Sequence, residues 1–140
     1  MPVAKPRGST QAMARPYSVL LVEDDDPLRA ILTELLQARG WRTYSTDHGL
    51  EAVELARQNH LDFSILDMHL PGINGLEVFA NITREVRPLP SIMISGAATH
   101  QETQAMLASG VFRFLRKPLA FDHLQQCLDQ LIQHHFPPRL

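Results

Sequence analysis

Five short apolar runs, separated by segments with helical periodicity, are the feature that most constrains the fold of this chain. The first run extends from Tyr17 to Val22, and its continuous apolar end is typical of a strand covered on both faces. In the next segment Pro27 suits a first helical turn and Gly40 suits a helix end. Between them the apolar residues form one helical stripe: Leu28, Ile31, Leu32, Leu35 and Leu36. A strand followed by an amphipathic helix is therefore predicted.

The same alternation occurs four more times. Further strands are predicted from Trp41 to Ser45, Phe63 to Leu66, Ser91 to Ile94 and Val111 to Leu115. Further helices are predicted over about Gly49–Gln58, over Leu76–Arg84, from the capping box Thr99-x-x-Glu102 to about Ser109 before Gly110, and from Phe121 to about His134 and His135. The inward residues expected on these helices are Leu50, Val53 and Ala52 or Ala56; Leu76, Phe79 and Ile82 or Thr83; and Phe121, Leu124, Leu128 and Leu131.

Five strands alternating with five helices predict an α/β fold with a parallel sheet and helices on both faces. Strands two and five mix polar with apolar residues, as Arg113 illustrates, and therefore suit the edges of the sheet. The prediction is a flavodoxin-like, doubly wound, five-stranded parallel sheet of order 2-1-3-4-5. Met93, Met106 and Cys127 are expected in the core.

The chain has 140 residues and a formal net charge of -2, which argues against direct binding of nucleic acid. We expect a disordered leader over residues 1–16, one domain over 17–135 and a short tail over 136–140, with no output domain. Its one cysteine cannot form an internal disulfide, and no apolar run suits a membrane span or a secretion signal. These features predict a cytoplasmic protein without membrane contact.

Polar residues follow the ends of four predicted strands. They are the acids Glu23, Asp24, Asp25 and Asp26 after the first strand, Asp67 after the third, Ser95-Gly96 after the fourth and Lys117-Pro118 after the fifth. Sites of doubly wound folds form beyond these carboxyl ends. We therefore expect acids, one hydroxyl and one lysine to meet in one crevice.

This set of residues suits phosphoryl chemistry with Mg²⁺. Clustered carboxylates repel each other, and Mg²⁺ prefers such hard oxygen ligands. Asp67 can then act as a carboxylate nucleophile. Lys117 and Ser95 can contact the phosphoryl oxygens. Taken alone, each feature also has a structural explanation, such as a solvated helix start for the acid run or a turn for Ser95-Gly96.

Four segments, in order and each at a strand end, resemble the receiver domain of two-component response regulators. They are VLLVEDDDPLR, SILDMHLPGINGLEV, IMISGAA and FRFLRKP, and the resemblance extends over about residues 17–135. It implies Mg²⁺ binding by Glu23, Asp24, Asp67 and the backbone carbonyl of His69. It also implies a phosphoryl acceptor at Asp67, assisted by Lys117 and Ser95.

The resemblance further implies a switch formed by Ser95 and Phe114, and a cis bond before Pro118. Phe114 replaces the tyrosine of many members, and it could instead be only an aromatic of a surface strand. Asp25 and Asp26 are expected to face solvent. His69 and Ala97 match two variable positions that flank the phosphoryl group, and we hypothesise that they tune its lifetime.

The function predicted from the resemblance is a stand-alone receiver that is not a turnover enzyme. A histidine kinase or phosphotransfer protein would supply the phosphoryl group, and a downstream protein would bind the switched surface. The chain would be a monomer or a phosphorylation-dependent dimer. Three alternatives stay open: a receiver fragment of a longer DNA-binding regulator, a Mg²⁺-dependent phosphohydrolase, and a docking module independent of phosphorylation. The phosphohydrolase alternative is weakened because His69 stands where such enzymes usually place a second aspartate.

Overall fold

Five parallel strands alternate with five helices in the computed structural model, which describes residues 16–138. The strands are β1 (Ser18–Val22), β2 (Arg42–Thr46), β3 (Phe63–Asp67), β4 (Ser91–Ser95) and β5 (Arg113–Arg116). The helices are α1 (Asp26–Ala38), α2 (Gly49–Gln58), α3 (Gly75–Glu85), α4 (His100–Ser109) and α5 (Phe121–His135). The strands form one sheet of order β2-β1-β3-β4-β5, which confirms the predicted fold class and topology.

The sheet separates two apolar cores. Alternate residues of each strand point to opposite faces, so Val19 and Leu21 enter one core whereas Leu20 and Val22 enter the other. Helices α1 and α5 cover the first core with Leu32, Leu36, Cys127, Leu128 and neighbouring side chains. Helices α2, α3 and α4 cover the second core with Ala52, Val53, Val78, Ile82 and Met106. The core positions predicted for Met93, Met106 and Cys127 are confirmed.

Inner and edge strands differ in burial as the sequence predicts. Every residue of β1, β3 and β4 is buried, whereas β2 exposes Arg42 and Ser45 and β5 exposes Arg113 and Arg116. The predicted strand limits differ by one or two residues. Trp41 precedes β2, and β5 begins at Arg113 rather than at Val111. Asp67 and Ser95 are the last residues of their strands rather than the first residues after them.

Three residues predicted to face inward are exposed instead. Leu50 is 58% exposed, Ile31 is 47% exposed and Phe121, the first residue of α5, is 39% exposed. The buried stripe of α2 consists of Gly49, Ala52, Val53 and Ala56, so Leu50 lies about one residue's rotation away from it. Small side chains in that stripe allow the helix to approach the sheet closely, which apolar periodicity alone does not reveal. In α3 the buried residues are Gly75, Val78 and Ile82, while Thr83 is exposed.

The helix ends have identifiable caps. Asp25 caps α1 by accepting a hydrogen bond from the backbone N–H of Leu28 at 3.1 Å, a role the sequence analysis did not assign. The predicted capping box of Thr99 and Glu102 opens α4, and Gly110 ends it with a φ of 96°. A second capping box, formed by Asn74 and Glu77, opens α3.

The leader predicted for residues 1–16 lies outside the described residues apart from Pro16, and so do the last two residues of the predicted tail. Among residues 16–138, no helix has the length and apolar character needed to cross a membrane.

Candidate functional site

Three carboxylates meet at the carboxyl edge of the two central strands. Glu23 directly follows β1, and Asp67 ends the neighbouring β3, so parallel pairing places the two side by side. Glu23 is 1% exposed and Asp67 is 3% exposed, whereas Asp24 is exposed. One oxygen from each of the three carboxylates lies within 4.8 Å of the others. The structure therefore brings together the predicted acids.

Burial and mutual repulsion oppose the ionisation of these acids. Burial raises the pKa of Glu23 to about 7; the nearby Asp67 adds to the shift, and the backbone N–H of Asp25 partly opposes it. Burial and the neighbouring Asp67 also raise the pKa of Asp24. Within the described residues, Glu23 Oε1 is one of two buried side-chain polar atoms without a hydrogen-bond partner. An unpaired buried carboxylate oxygen is energetically unfavourable and suits a site that receives a cation.

Lys117 supplies the positive charge of the site. It follows the edge strand β5, and its Nζ donates to Glu23 Oε2 at 3.0 Å and to Asp67 Oδ2 at 3.2 Å. Burial alone would lower the pKa of Lys117, but the hydrogen bonds and charges of Glu23 and Asp67 outweigh it and raise that pKa. The peptide bond between Lys117 and Pro118 is cis, as the resemblance implied.

The donor set fits a hard divalent cation. Three carboxylates offer oxygen ligands, and the unpartnered Glu23 Oε1 lies among them. Mg²⁺ prefers oxygen ligands and retains several waters, which a partly exposed cluster allows. Glu23, Asp24 and Asp67 are therefore the residues that could hold Mg²⁺. The contribution of the His69 carbonyl stays a prediction; the backbone N–H of His69 donates to Asp67 Oδ1 at 3.1 Å.

Ser95 lies at the end of β4, next to the strand β3 that ends at Asp67. It is 1% exposed, and its Oγ lies 3.5 Å from His69 Nδ1. The backbone N–H of Lys117 donates to the Ser95 carbonyl at 2.9 Å, so the β5 loop is tied to the end of β4. A Cβ added to Gly96 would find its nearest neighbours 3.7 Å away, on the Lys117 side chain, so there is space beside Ser95.

Phe114 lies on β5 beside Met93 of β4 and is half-buried against the second core. The Arg116 guanidinium lies 5.4 Å from the centre of its ring. Asp25 and Asp26 are exposed, as expected. Phe114 thus lies beside β4 two residues before the level of Ser95, and its switch role stays a prediction.

Sequence reasoning did not identify Gly75, which packs closely against the end of β3. A Cβ at Gly75 would lie 2.3 Å from the Asp67 carbonyl oxygen and 2.9 Å from Met93 Sδ. The backbone N–H of Gly75 donates to the Met68 carbonyl at 2.9 Å. The only signal in the sequence was the Asn74-Gly75 pair, which equally indicates a turn.

A doubly wound α/β domain with three acids and a lysine at the carboxyl ends of its strands defines a receiver-like class of protein. The model of the response regulator receiver domain matches residues 19–129. The chain belongs to this family, whose members are signalling modules of two-component systems, and the resemblance inferred from its motifs is confirmed.

Similar proteins agree with this assignment. The polar-differentiation response regulator DivK of Brucella ovis is 32% identical over 105 residues, which cover 74% of this chain and 85% of that protein. The non-phosphorylated HemR receiver domain from Leptospira biflexa is 30% identical, with a TM-score of 0.76 over 84% of this chain and 94% of that one. The signal receiver domain of a putative LuxO repressor from Vibrio parahaemolyticus has a TM-score of 0.79, covering 86% and 93% of the two chains. Its identity is 21%, so that likeness concerns the fold alone.

Proposed function

We propose that this receiver domain accepts a phosphoryl group on Asp67 in the presence of Mg²⁺ and thereby switches a protein-binding surface. The donor is a histidine kinase or a phosphotransfer protein. The observation that supports this most directly is the position of Lys117 Nζ, within 3.2 Å of both Glu23 and Asp67 in a cluster of three carboxylates. A structural ion pair would not require two further acids beside it.

Asp67 is oriented for nucleophilic attack by contacts to both of its oxygens. Oδ1 accepts from the backbone N–H of His69 and Oδ2 accepts from Lys117. In the reaction an Asp67 oxygen forms a bond to phosphorus while the P–N bond of the donor phosphohistidine breaks. The leaving imidazole nitrogen takes the electron pair, and Asp67 becomes an acyl phosphate. Lys117 then neutralises charge on the phosphoryl oxygens.

The acids prepare the site for the metal. Glu23, Asp24 and Asp67 would hold Mg²⁺ together with the carbonyl of His69, and the ion supplies charge neutralisation and alignment for the incoming phosphoryl group. The exposed Asp24 leaves one side of the cluster open to solvent and to a donor.

The switch follows from the single hydroxyl of Ser95. A phosphoryl group on Asp67 adds strong acceptor oxygens, to which Ser95 can donate its one proton. Movement of Ser95 would shift the loop before α4, and Phe114 would turn inward. The face of α4, β5 and α5 would then change shape, and a downstream protein would bind it. Phosphorylation acts by favouring one of two arrangements.

Several narrower predictions belong to this proposal. His69 and Ala97 tune the lifetime of the acyl phosphate. For His69, the test is to compare the rate of acyl phosphate hydrolysis in His69→Asn with that in the parent chain. The receiver occupies residues 17–135, between the predicted leader and tail, and acts in the cytoplasm as a monomer or a phosphorylation-dependent dimer. No observation favours the DNA-binding, phosphohydrolase or docking alternatives over phosphoryl acceptance.

Incubation with acetyl phosphate and Mg²⁺, followed by intact mass measurement, tests the proposal. We expect one added phosphoryl group on the parent chain, none on Asp67→Asn and none when Mg²⁺ is chelated. The Asp62→Asn variant is a matched control, because Asp62 is a buried acid at the opposite end of β3, next to Phe63. An unmodified parent chain, or an adduct that persists in Asp67→Asn, would refute the assignment of Asp67.

A further inference from the structure

The imidazole of His69 connects the site to helix α4. Its Nε2 lies 3.3 Å from Glu102 Oε2, in the first turn of α4, and its Nδ1 lies 3.5 Å from Ser95 Oγ. The backbone N–H of the same residue donates to Asp67 Oδ1. One residue thus contacts the predicted phosphoryl acceptor, the predicted switch hydroxyl and the helix that follows it.

When the His69 ring carries a single proton, Glu102 determines which of the two ring nitrogens holds it. A carboxylate only accepts hydrogen bonds, so the nitrogen facing Glu102, Nε2, has to hold the proton. Nδ1 is then an acceptor, and Ser95 donates its hydroxyl proton to it. Because Ser95 has only one such proton, it cannot donate to His69 and to a phosphoryl oxygen at the same time.

Glu102 is itself fixed in the first turn of α4. Its Oε1 accepts from the backbone N–H of Thr99 at 2.9 Å, and its own N–H donates to Thr99 Oγ1 at 3.0 Å. The hydrogen bond from Thr99 and the contact with His69 lower the pKa of Glu102, so the carboxylate is ionised at neutral pH. The helix cap and the contact to His69 therefore use the two oxygens of one carboxylate.

Few other contacts hold α4 in place. Met106 is the one buried residue of this helix, and Leu107 beside it is 66% exposed. A single contact at its first turn can therefore shift its position measurably, whereas a helix with several buried residues would resist.

We propose that His69 and Glu102 form a latch that holds Ser95 and the first turn of α4 in the unphosphorylated arrangement. This inference depends on the proposed function, because phosphorylation of Asp67 is what releases the latch. When Ser95 donates to a phosphoryl oxygen, His69 loses its hydrogen bond from Ser95 and its hold on Glu102 weakens. His69 is thus a positioning residue that couples Asp67 to α4. The two states differ in which group accepts the hydrogen bond from Ser95: His69 in one state and a phosphoryl oxygen in the other.

The variant Glu102→Gln tests the latch without removing the helix cap. Glutamine also functions in a capping box, so the bond to Thr99 is retained while the charge facing His69 is lost. Glu77→Gln is the matched control, because Glu77 occupies the same position of the α3 capping box. Affinity for beryllofluoride, a phosphoryl mimic, is measured by calorimetry with saturating Mg²⁺ present. Hydrogen exchange of the first-turn amides of α4 is measured alongside it.

We expect Glu102→Gln to bind beryllofluoride about two- to fivefold more tightly than the parent, as weakening one partly exposed hydrogen bond to a carboxylate would allow. Its α4 amides should exchange faster even without the mimic, and Glu77→Gln should match the parent in affinity. If the parent is phosphorylated but both variants bind the mimic only as tightly as the parent does, the latch is refuted and the proposed function stands. If the parent takes no phosphoryl group from acetyl phosphate, the proposed function fails, and the latch with it.

Discussion

Helices α3 and α4 cover the same face of the sheet and begin alike, but only α3 is firmly anchored. Each starts with a capping box, Asn74 with Glu77 in α3 and Thr99 with Glu102 in α4. Helix α3 buries Gly75, Val78 and Ile82, whereas Met106 is the one buried residue of α4. The polar sequence of α4 leaves little apolar surface to bury, so fewer contacts oppose its movement.

This difference in burial between α3 and α4 corresponds to two parts of the site, one around Asp67 and one around Ser95. Gly75 packs directly on the carbonyl of Asp67, which fixes the end of β3 against α3. Ser95 lies before α4 and is tied to that helix through His69. The proposed acceptor, Asp67, thus lies against the well-buried α3, and the proposed switch residue, Ser95, is connected to α4, which buries only Met106 among its described residues. Such an arrangement suits a domain that converts a local modification into a change of surface.

The largest expected effect concerns the core contact of α3. Ile82→Ala should lower the free energy of unfolding by about 2–5 kcal/mol, because Ile82 is buried and its removal leaves a cavity. Leu107→Ala on the exposed side of α4 is the control and should change it by less than about 0.5 kcal/mol. Urea denaturation measures both. Equal losses would show that Leu107 is packed as firmly as Ile82, contrary to its exposure.

The next effect is a pH dependence of stability, which has opposite signs for Glu23 in the acid cluster and for Glu102 in α4. The pKa of Glu23 is about 7 in the folded chain and 4.5 ordinarily, so stability without Mg²⁺ should fall as pH rises from 4.5 to 7. The fall should reach at most about 3 kcal/mol. The pKa of Glu102 is lowered instead, so its contribution is present above 4.5 and is lost as pH falls below that value.

Denaturation in a chelating buffer at about pH 5 and pH 8 measures this dependence. Glu23→Gln should flatten the curve between the two pH values, and Glu102→Gln should leave that interval unchanged. A parent chain whose stability rises steadily over this interval would show that Glu23 ionises readily, contrary to the burial of its side chain.

The smallest effect compares two glycines beside the site. Gly75→Ala should lower the free energy of unfolding by about 1–3 kcal/mol, because its new Cβ meets the Asp67 backbone at 2.3 Å. Gly96→Ala, before α4, finds only ordinary contacts at 3.7 Å and should change it by less than about 0.5 kcal/mol. Thermal unfolding distinguishes them. If Gly75→Ala left the free energy of unfolding unchanged, α3 would have to move away from β3 without loss of stability.

Most site positions could be predicted because they depend on strand order. Once apolar runs mark β1, β3 and β5, the residues that follow them must lie at one edge of the sheet, which placed Glu23, Asp67 and Lys117 together. Which face a helical residue occupies was less certain, as the exposed Leu50 and Ile31 show. Leucine is expected inside by its hydrophobicity, yet α2 packs through small residues instead.

The sequence by itself determined the alternation of strands and helices, the buried or edge character of each strand, and the set of polar residues at the strand ends. These follow from local periodicity and from parallel pairing, which are properties of short segments. Only the tertiary structure decided that Gly75 supports Asp67 and that His69 lies between Ser95 and Glu102. Such contacts join residues far apart in the chain, and their distances depend on how closely each helix packs on the sheet.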